Sequence, residues 1–240
     1  MKTFLLGLTL LFCSANSYAA LITYNDYTLD QSTNIVTGGG LEWLQWDVTA
    51  VMSINSALND AADGIIGGVS YGTGWRLATN VEMAALFNAF IFGASFTWDA
   101  DENTTQSISN NDGDVENLST DPELQFYKLF GLTSPYDPIE SCLSANPCQS
   151  TFAIFGEDAD GDLRYNIAEV SDDYRFASGG TSRNGRVGLE RDQINSTSAD
   201  SQLGVALVRT VKTESVPEPS TISLFALSVL VLSLVRRRIS

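Results

Sequence analysis

The sequence predicts an α+β fold: one domain of mixed short strands with two or three helices. Three observations carry this. Short β-prone runs bounded by Gly, Asn and Asp mark both ends of the central region. Between them, apolar residues recur at helical spacing in three places. No Pro- or Ser-rich linker divides residues 20–211, so these elements are expected to form one domain. Of the 240 residues, 44% are hydrophobic and 18% charged, which suffices to build that core. Asp plus Glu number 29 against 13 Lys plus Arg, a net charge of −16. Such a surface repels phosphates and excludes nucleic acid as a partner. The chain contains no His, which removes Ser-His-Asp and Cys-His catalysis and every His-ligated metal site.

Leu21–Tyr24 and Thr33–Thr37 read as strands, and Gly38-Gly39-Gly40 breaks the chain before Leu41-Glu42-Trp43-Leu44-Gln45-Trp46. A strand there places Leu41 and Trp43 on one face and Leu44 and Trp46 on the other, the pattern of a central strand. Ile54, Ala57, Leu58 and Ala61 form a helical stripe, with Ser53 as N-cap and Gly64 as stop. In Gly74-Trp75-Arg76-Leu77-Ala78-Thr79-Asn80-Val81-Glu82, Thr79 and Glu82 make a capping box ahead of Met83, Leu86, Phe87 and Phe90. That role occupies the Glu82 carboxylate, which is therefore not assigned to catalysis. Asp121-Pro122-Glu123 opens a third helix with the apolar face Phe126, Leu129 and Phe130, ended by Gly131. Thr151–Phe155 and Leu163–Val170 are strand-like, and Leu203–Arg209 reads as the closing strand.

The acidic segment Glu157-Asp158-Ala159-Asp160-Gly161-Asp162 has two readings: the tip of a hairpin, or a calcium loop. In the second, Asp158, Asp160 and Asp162 converge on a hard cation, although the spacing and distal Glu of an EF-hand are missing. Asp99, Asp101 and Glu102, with Asp112 and Asp114, are weaker candidates. Calcium is the one cofactor that these residues suggest. Cys142 and Cys148 enclose a short loop and are expected to form a disulfide in an oxidising compartment, stabilising by at most about 2.4 kcal/mol. No catalytic residue is assigned. A carboxylate-dependent hydrolase needs no His, and its signature would be two carboxyl groups about 5 to 10 Å apart across a cleft, one of them buried.

Both ends read as addresses. Residues 1–19 have the form of a secretory signal peptide: Lys2, an apolar core from Phe4 to Phe12, and Ser17-Tyr18-Ala19 before the cleavage point. The exported domain is then 20–211, followed by a linker, 212–220, carrying Val216-Pro217-Glu218-Pro219. Residues 221–235 carry no charge and are expected to form a transmembrane helix, and 236–240 a cytoplasmic basic tail containing Arg236, Arg237 and Arg238. As a helix, the span is about 22 Å long against roughly 30 Å of hydrocarbon, a brief anchor aided by snorkelling arginines. Lys2 and the three terminal arginines lie in these segments, so the exported part is more acidic than the whole chain.

The order Pro217-Glu218-Pro219, short span and arginine cluster resembles the PEP-CTERM sorting signal. That resemblance implies an exosortase as partner, a membrane-anchored precursor, cleavage near the Pro-Glu-Pro motif, and delivery to the cell surface or extracellular matrix. It also implies an association with exopolysaccharide and biofilm. Gly74-Trp75-Arg76-Leu77 with Thr79 and Glu82, Gly40–Leu44 and Leu203–Arg209 are similar to segments of C-type-lectin-like domains, including the formylglycine-generating-enzyme type. Ala78 departs from the Pro usual there, and the enzyme's catalytic cysteines have no counterpart. This second resemblance implies a terminal strand paired with the first strand. The expected function is that of a non-enzymatic structural or polysaccharide-binding component, with Trp43, Trp46, Trp75 and Trp98 as candidate aromatics. The alternative is a secreted hydrolase acting on polysaccharide.

Overall fold

Four short strands separated by tight turns start the fold: β1 (Leu21–Tyr24), β2 (Tyr27–Asp30), β3 (Ile35–Gly38) and β4 (Leu41–Leu44). Asn25 and Asn34 take positive φ at the first two turns, a conformation Asn tolerates, and the strands pair antiparallel in succession. A computed structural model describes residues 21–92, 96–100, 103–110, 121–134, 149–174 and 184–211.

Trp46 does not extend β4. It begins a 3-10 turn, Trp46–Thr49, and Gln45 anchors that corner by donating from Nε2 to the Leu129 carbonyl. Helix α1 (Ile54–Asp63) follows, with the Ser53 hydroxyl accepting from Ser56 N–H and Gly64 closing the end in the left-handed conformation. Ile54, Ala57 and Ala61 are buried, but Leu58 is 36% exposed and falls outside the expected stripe. A small hairpin, β5 (Ile65–Ile66) and β6 (Val69–Ser70), precedes β7 (Arg76–Leu77) and helix α2 (Asn80–Phe90). The capping box is present in full, and Met83, Leu86, Phe87 and Phe90 are all buried. After β8 (Gln106–Asn110), helix α3 (Pro122–Phe130) is capped by Asp121 and buries Phe126, Leu129 and Phe130. The chain ends in β9 (Gln149–Phe155), β10 (Arg164–Tyr174), β11 (Asn184–Asn195), β12 (Gly204–Val205) and β13 (Leu207–Thr210).

These strands build two main sheets, ordered β1-β2-β3-β4-β13-β7 and β12-β9-β10-β11-β8. The last segment divides between them. β12 runs parallel to β9 in the second sheet, and one residue later β13 enters the first sheet between β4 and β7. The expectation that the closing strand pairs with the first strand is therefore corrected: β1 lies at the far edge of that sheet. A continuous strand 203–209 is corrected too, because Ala206 is the crossing point, its N–H donating to Ile154 and its carbonyl accepting from Ala78.

Alternation along the central strands explains the two cores. Trp43 and Val208 face a cluster formed with α2, α3 and the inner face of the second sheet. Leu44 and Leu207 face a smaller cluster with α1, Trp75 and Ile154. The larger core is rich in rings: Phe126 stacks on Phe130 with centroids 4.4 Å apart, and Trp46 meets Phe126 edge-on at 5.0 Å. The result is an α+β architecture with three α-helices among the described residues.

Candidate functional site

The hairpin reading of the acidic segment holds: β9 and β10 pair antiparallel on either side of residues 157–162. One carboxylate oxygen each of Asp158, Asp160 and Asp162 comes within 4.8 Å of the others. Each also organises the turn, Asp158 accepting from Leu163 N–H, Asp160 from Asp162 N–H and Asp162 from Arg164 N–H at 2.7 Å. The donors are hard oxygens of the kind calcium takes, but three on such a loop leave at least half of its six to eight positions to other ligands. Glu157 points elsewhere, accepting from Asn80 N–H at the start of α2.

Glu82 is held by structure as well as by its helix. Its Oε2 accepts from Thr79 N–H, and both oxygens accept from the Arg76 guanidinium, at 2.5 and 2.8 Å. Burial alone would raise its pKa. The Arg76 and Thr79 hydrogen bonds outweigh burial and leave it lowered. The segments behind the lectin-like resemblance also converge on a structural contact. Arg209 on β13 pairs with Glu42 on β4, donates to the Tyr71 carbonyl, and lies 4.2 Å above the Trp75 ring. Trp43, Trp46, Trp75 and Trp98 are all buried, so none offers a face to a sugar, which corrects their candidacy as binding aromatics.

A cleft of about 210 Å³ opens against the second sheet, lined by Phe152, Ile167, Glu169, Glu190, Asp200, Gln202 and Leu203. Strand register assembles it. Glu169 on β10 stands opposite Phe152 on β9 and Gly188 on β11, and Ile167 stands opposite Glu190. Gly188 contributes no side chain, so Arg186 and Glu190, two residues to either side, flank the open position. Arg186 Nη1 lies 3.2 Å from Glu169 Oε2, and Nη2 donates to Glu190 Oε1. Ser171 donates its hydroxyl proton to Glu169 Oε1. Glu169 is only 3% exposed, and burial pushes its carboxyl above the ordinary Glu range despite Arg186 and Ser171, with Glu190 adding to the rise.

Sequence reasoning missed these residues. Their signal was a lone acid amid the apolar residues of a strand, Ala168-Glu169-Val170, and a second segment, Arg186-Val187-Gly188-Leu189-Glu190, whose charges alternate with core residues. Cys142 and Cys148, Val216, Pro217, Glu218 and Pro219, Arg236 to Arg238, the signal peptide 1–19, and Asp101, Glu102, Asp112 and Asp114 lie outside the described residues. No helix among the described residues is long and apolar enough to cross a membrane, and the expected span 221–235 lies beyond them. The chain divides after Thr210 into a first unit, which holds the elements described above, and a second, Val211–Ser240.

No curated protein and no solved structure matches this chain. Residues 215–238 do match a family: they carry the order of Pro-Glu-Pro, charge-free run and arginines set out above, and the chain bears the PEP-CTERM protein-sorting motif.

Proposed function

We propose that the folded unit is a non-enzymatic surface or matrix component that binds polysaccharide. The sorting motif at 215–238 is the observation that carries this reading, since it marks the chain for export and exosortase processing from a membrane-anchored precursor. An acidic surface suits that destination, because net charge keeps an exported domain soluble and apart from its copies. A C-type-lectin-like fold is part of the proposal, supported by the meeting of the three motif segments around Arg209, Glu42 and Trp75. Two measurements test it. Mass spectrometry of the mature protein should find a new N-terminus near Ala20 and a C-terminus near Pro217–Pro219. Extracellular polysaccharide should retain the protein in a pull-down. A full-length chain recovered from the cytosol overturns the sorting half, and no retention overturns the binding half.

A second reading, a carboxylate-dependent hydrolase acting on polysaccharide, draws support from Glu169 and Glu190. One is buried with a raised pKa, and both line one cleft. Against it, a single guanidinium engages both, whereas a general acid must retain a proton and deliver it to substrate. Release of reducing ends from the polysaccharide, abolished by both Glu169→Gln and Glu190→Gln, is the outcome that would establish the hydrolase.

A further inference from the structure

The lining of the cleft combines two chemistries. Phe152, Ile167 and Leu203 give an apolar wall, while Glu169, Glu190, Asp200 and Gln202 give polar groups. Among the described residues the lining carries three carboxylates, of which Arg186 engages two, Glu169 and Glu190. Glu169 is committed to its neighbours, with Oε1 on Ser171 and Oε2 on Arg186. Glu190 meets Arg186 through Oε1, and Asp200 spends Oδ1 on the Gln202 N–H, so each has a second oxygen to offer a ligand.

From this we infer that the cleft takes one ring of a sugar bearing a free, protonated amine, a hexosamine unit of a partly deacetylated polysaccharide. The inference rests on the polysaccharide reading above and narrows it to a substrate class. A sugar ring has an apolar C–H face to set against Phe152 and Ile167, and hydroxyls for carboxylates and the Gln202 amide. Covering Glu190 and Asp200 with a neutral ring would desolvate both without compensation, whereas an ammonium offsets that cost. Uronic or sulfated sugars are repelled by the same groups.

The test uses the exported protein as the cell delivers it, titrated calorimetrically with glucosamine oligomers. Matched N-acetylglucosamine, neutral glucose and galacturonate oligomers, and polylysine, serve as comparisons. The expected result is binding of the glucosamine oligomers at least about tenfold tighter than any comparison, weakening as salt rises. Glu190→Gln and Asp200→Asn, each checked for an unchanged melting profile, are expected to weaken it about tenfold, one charged hydrogen bond each. Equal binding of the acetylated or neutral oligomers, equal or tighter binding of polylysine, no binding of glucosamine oligomers, or indifference to both substitutions overturns the inference. Retention on native polysaccharide with no preference for the amine would sink this proposal while leaving the broader binding function standing. Absence of any retention would sink both.

Discussion

Thr49 ties the 3-10 turn after β4 to β12 of the second sheet through a single hydroxyl. The residue is fully buried at the end of the 3-10 turn that follows β4. Its Oγ1 accepts from Val205 N–H at 2.7 Å and lies 3.0 Å from both the Trp46 and the Val205 carbonyls. Replacing Thr49 with Val keeps the shape and deletes the oxygen. The Val205 N–H then sits in a dry interior with no acceptor, at a cost of about 1–3 kcal/mol. Loss of the hydroxyl's own donated bond adds about 1 kcal/mol, so the total is about 2–4 kcal/mol. In a domain of this size each kcal/mol lowers Tm by roughly 2–4 °C, which puts the expected fall near 4–16 °C. Thr49→Ser retains the oxygen and should recover most of the loss, leaving only a missing methyl. Thermal melts followed by near-UV circular dichroism on the three proteins measure this. A Val variant that melts with the wild type, or a Ser variant as impaired as Val, would refute the reasoning.

Four further outcomes are expected. Gly204→Ala should abolish folding or lower yield severely, since the added Cβ would collide with the Trp46 carbonyl oxygen; a soluble variant with an unchanged melt counts against that contact. Ile91→Gly should stabilise by about 1 kcal/mol in urea titration, because Ile91 is an exposed β-branched residue held at φ 58 beyond α2; a loss of stability would show that its side chain packs. Thr79→Ala should cost about 1 kcal/mol by removing the N-cap of α2, measured the same way, and no change would deny the cap its role. For Glu169 the folded-state pKa is raised above its ordinary 4.5, so the native state holds the proton more tightly. Its contribution is favourable at low pH and is lost as pH rises from about 4.5 through the folded value. The stability of Glu169→Gln relative to wild type should therefore improve across that window, and a pH-independent gap would contradict it.

Features fixed by neighbours in the chain were legible. Ser53, Thr79 and Asp121 each cap through a residue three positions on, and all three caps are observed. The sorting tail was legible for the same reason, as a contiguous order of residue types. Features fixed by distant pairing were not. β11 escaped notice because its glycines and charges resemble a loop until Val187 and Leu189 are seen to meet Val170 and Ala168 on β10. The cleft depends on that register, so Glu169 and Glu190 could not be paired from their spacing. Leu203–Arg209 read as one strand because nothing local distinguishes Ala206, whose role comes from Ile154 and Ala78 far upstream. The tryptophans show that residue type alone is ambiguous: four rings fit for sugar all went to the interior.

The crossing at Ala206 has a consequence for biogenesis. Residues 204–210 supply both an edge of one sheet and an inner member of the other, and they are the last part of the folded unit to be synthesised. During secretion the earlier elements must wait, half-assembled, until this stretch has cleared the export channel. Closure is thus a late, long-range event, slow by its topology. A nascent chain stalled or trimmed before position 204 would leave both sheets incomplete at once.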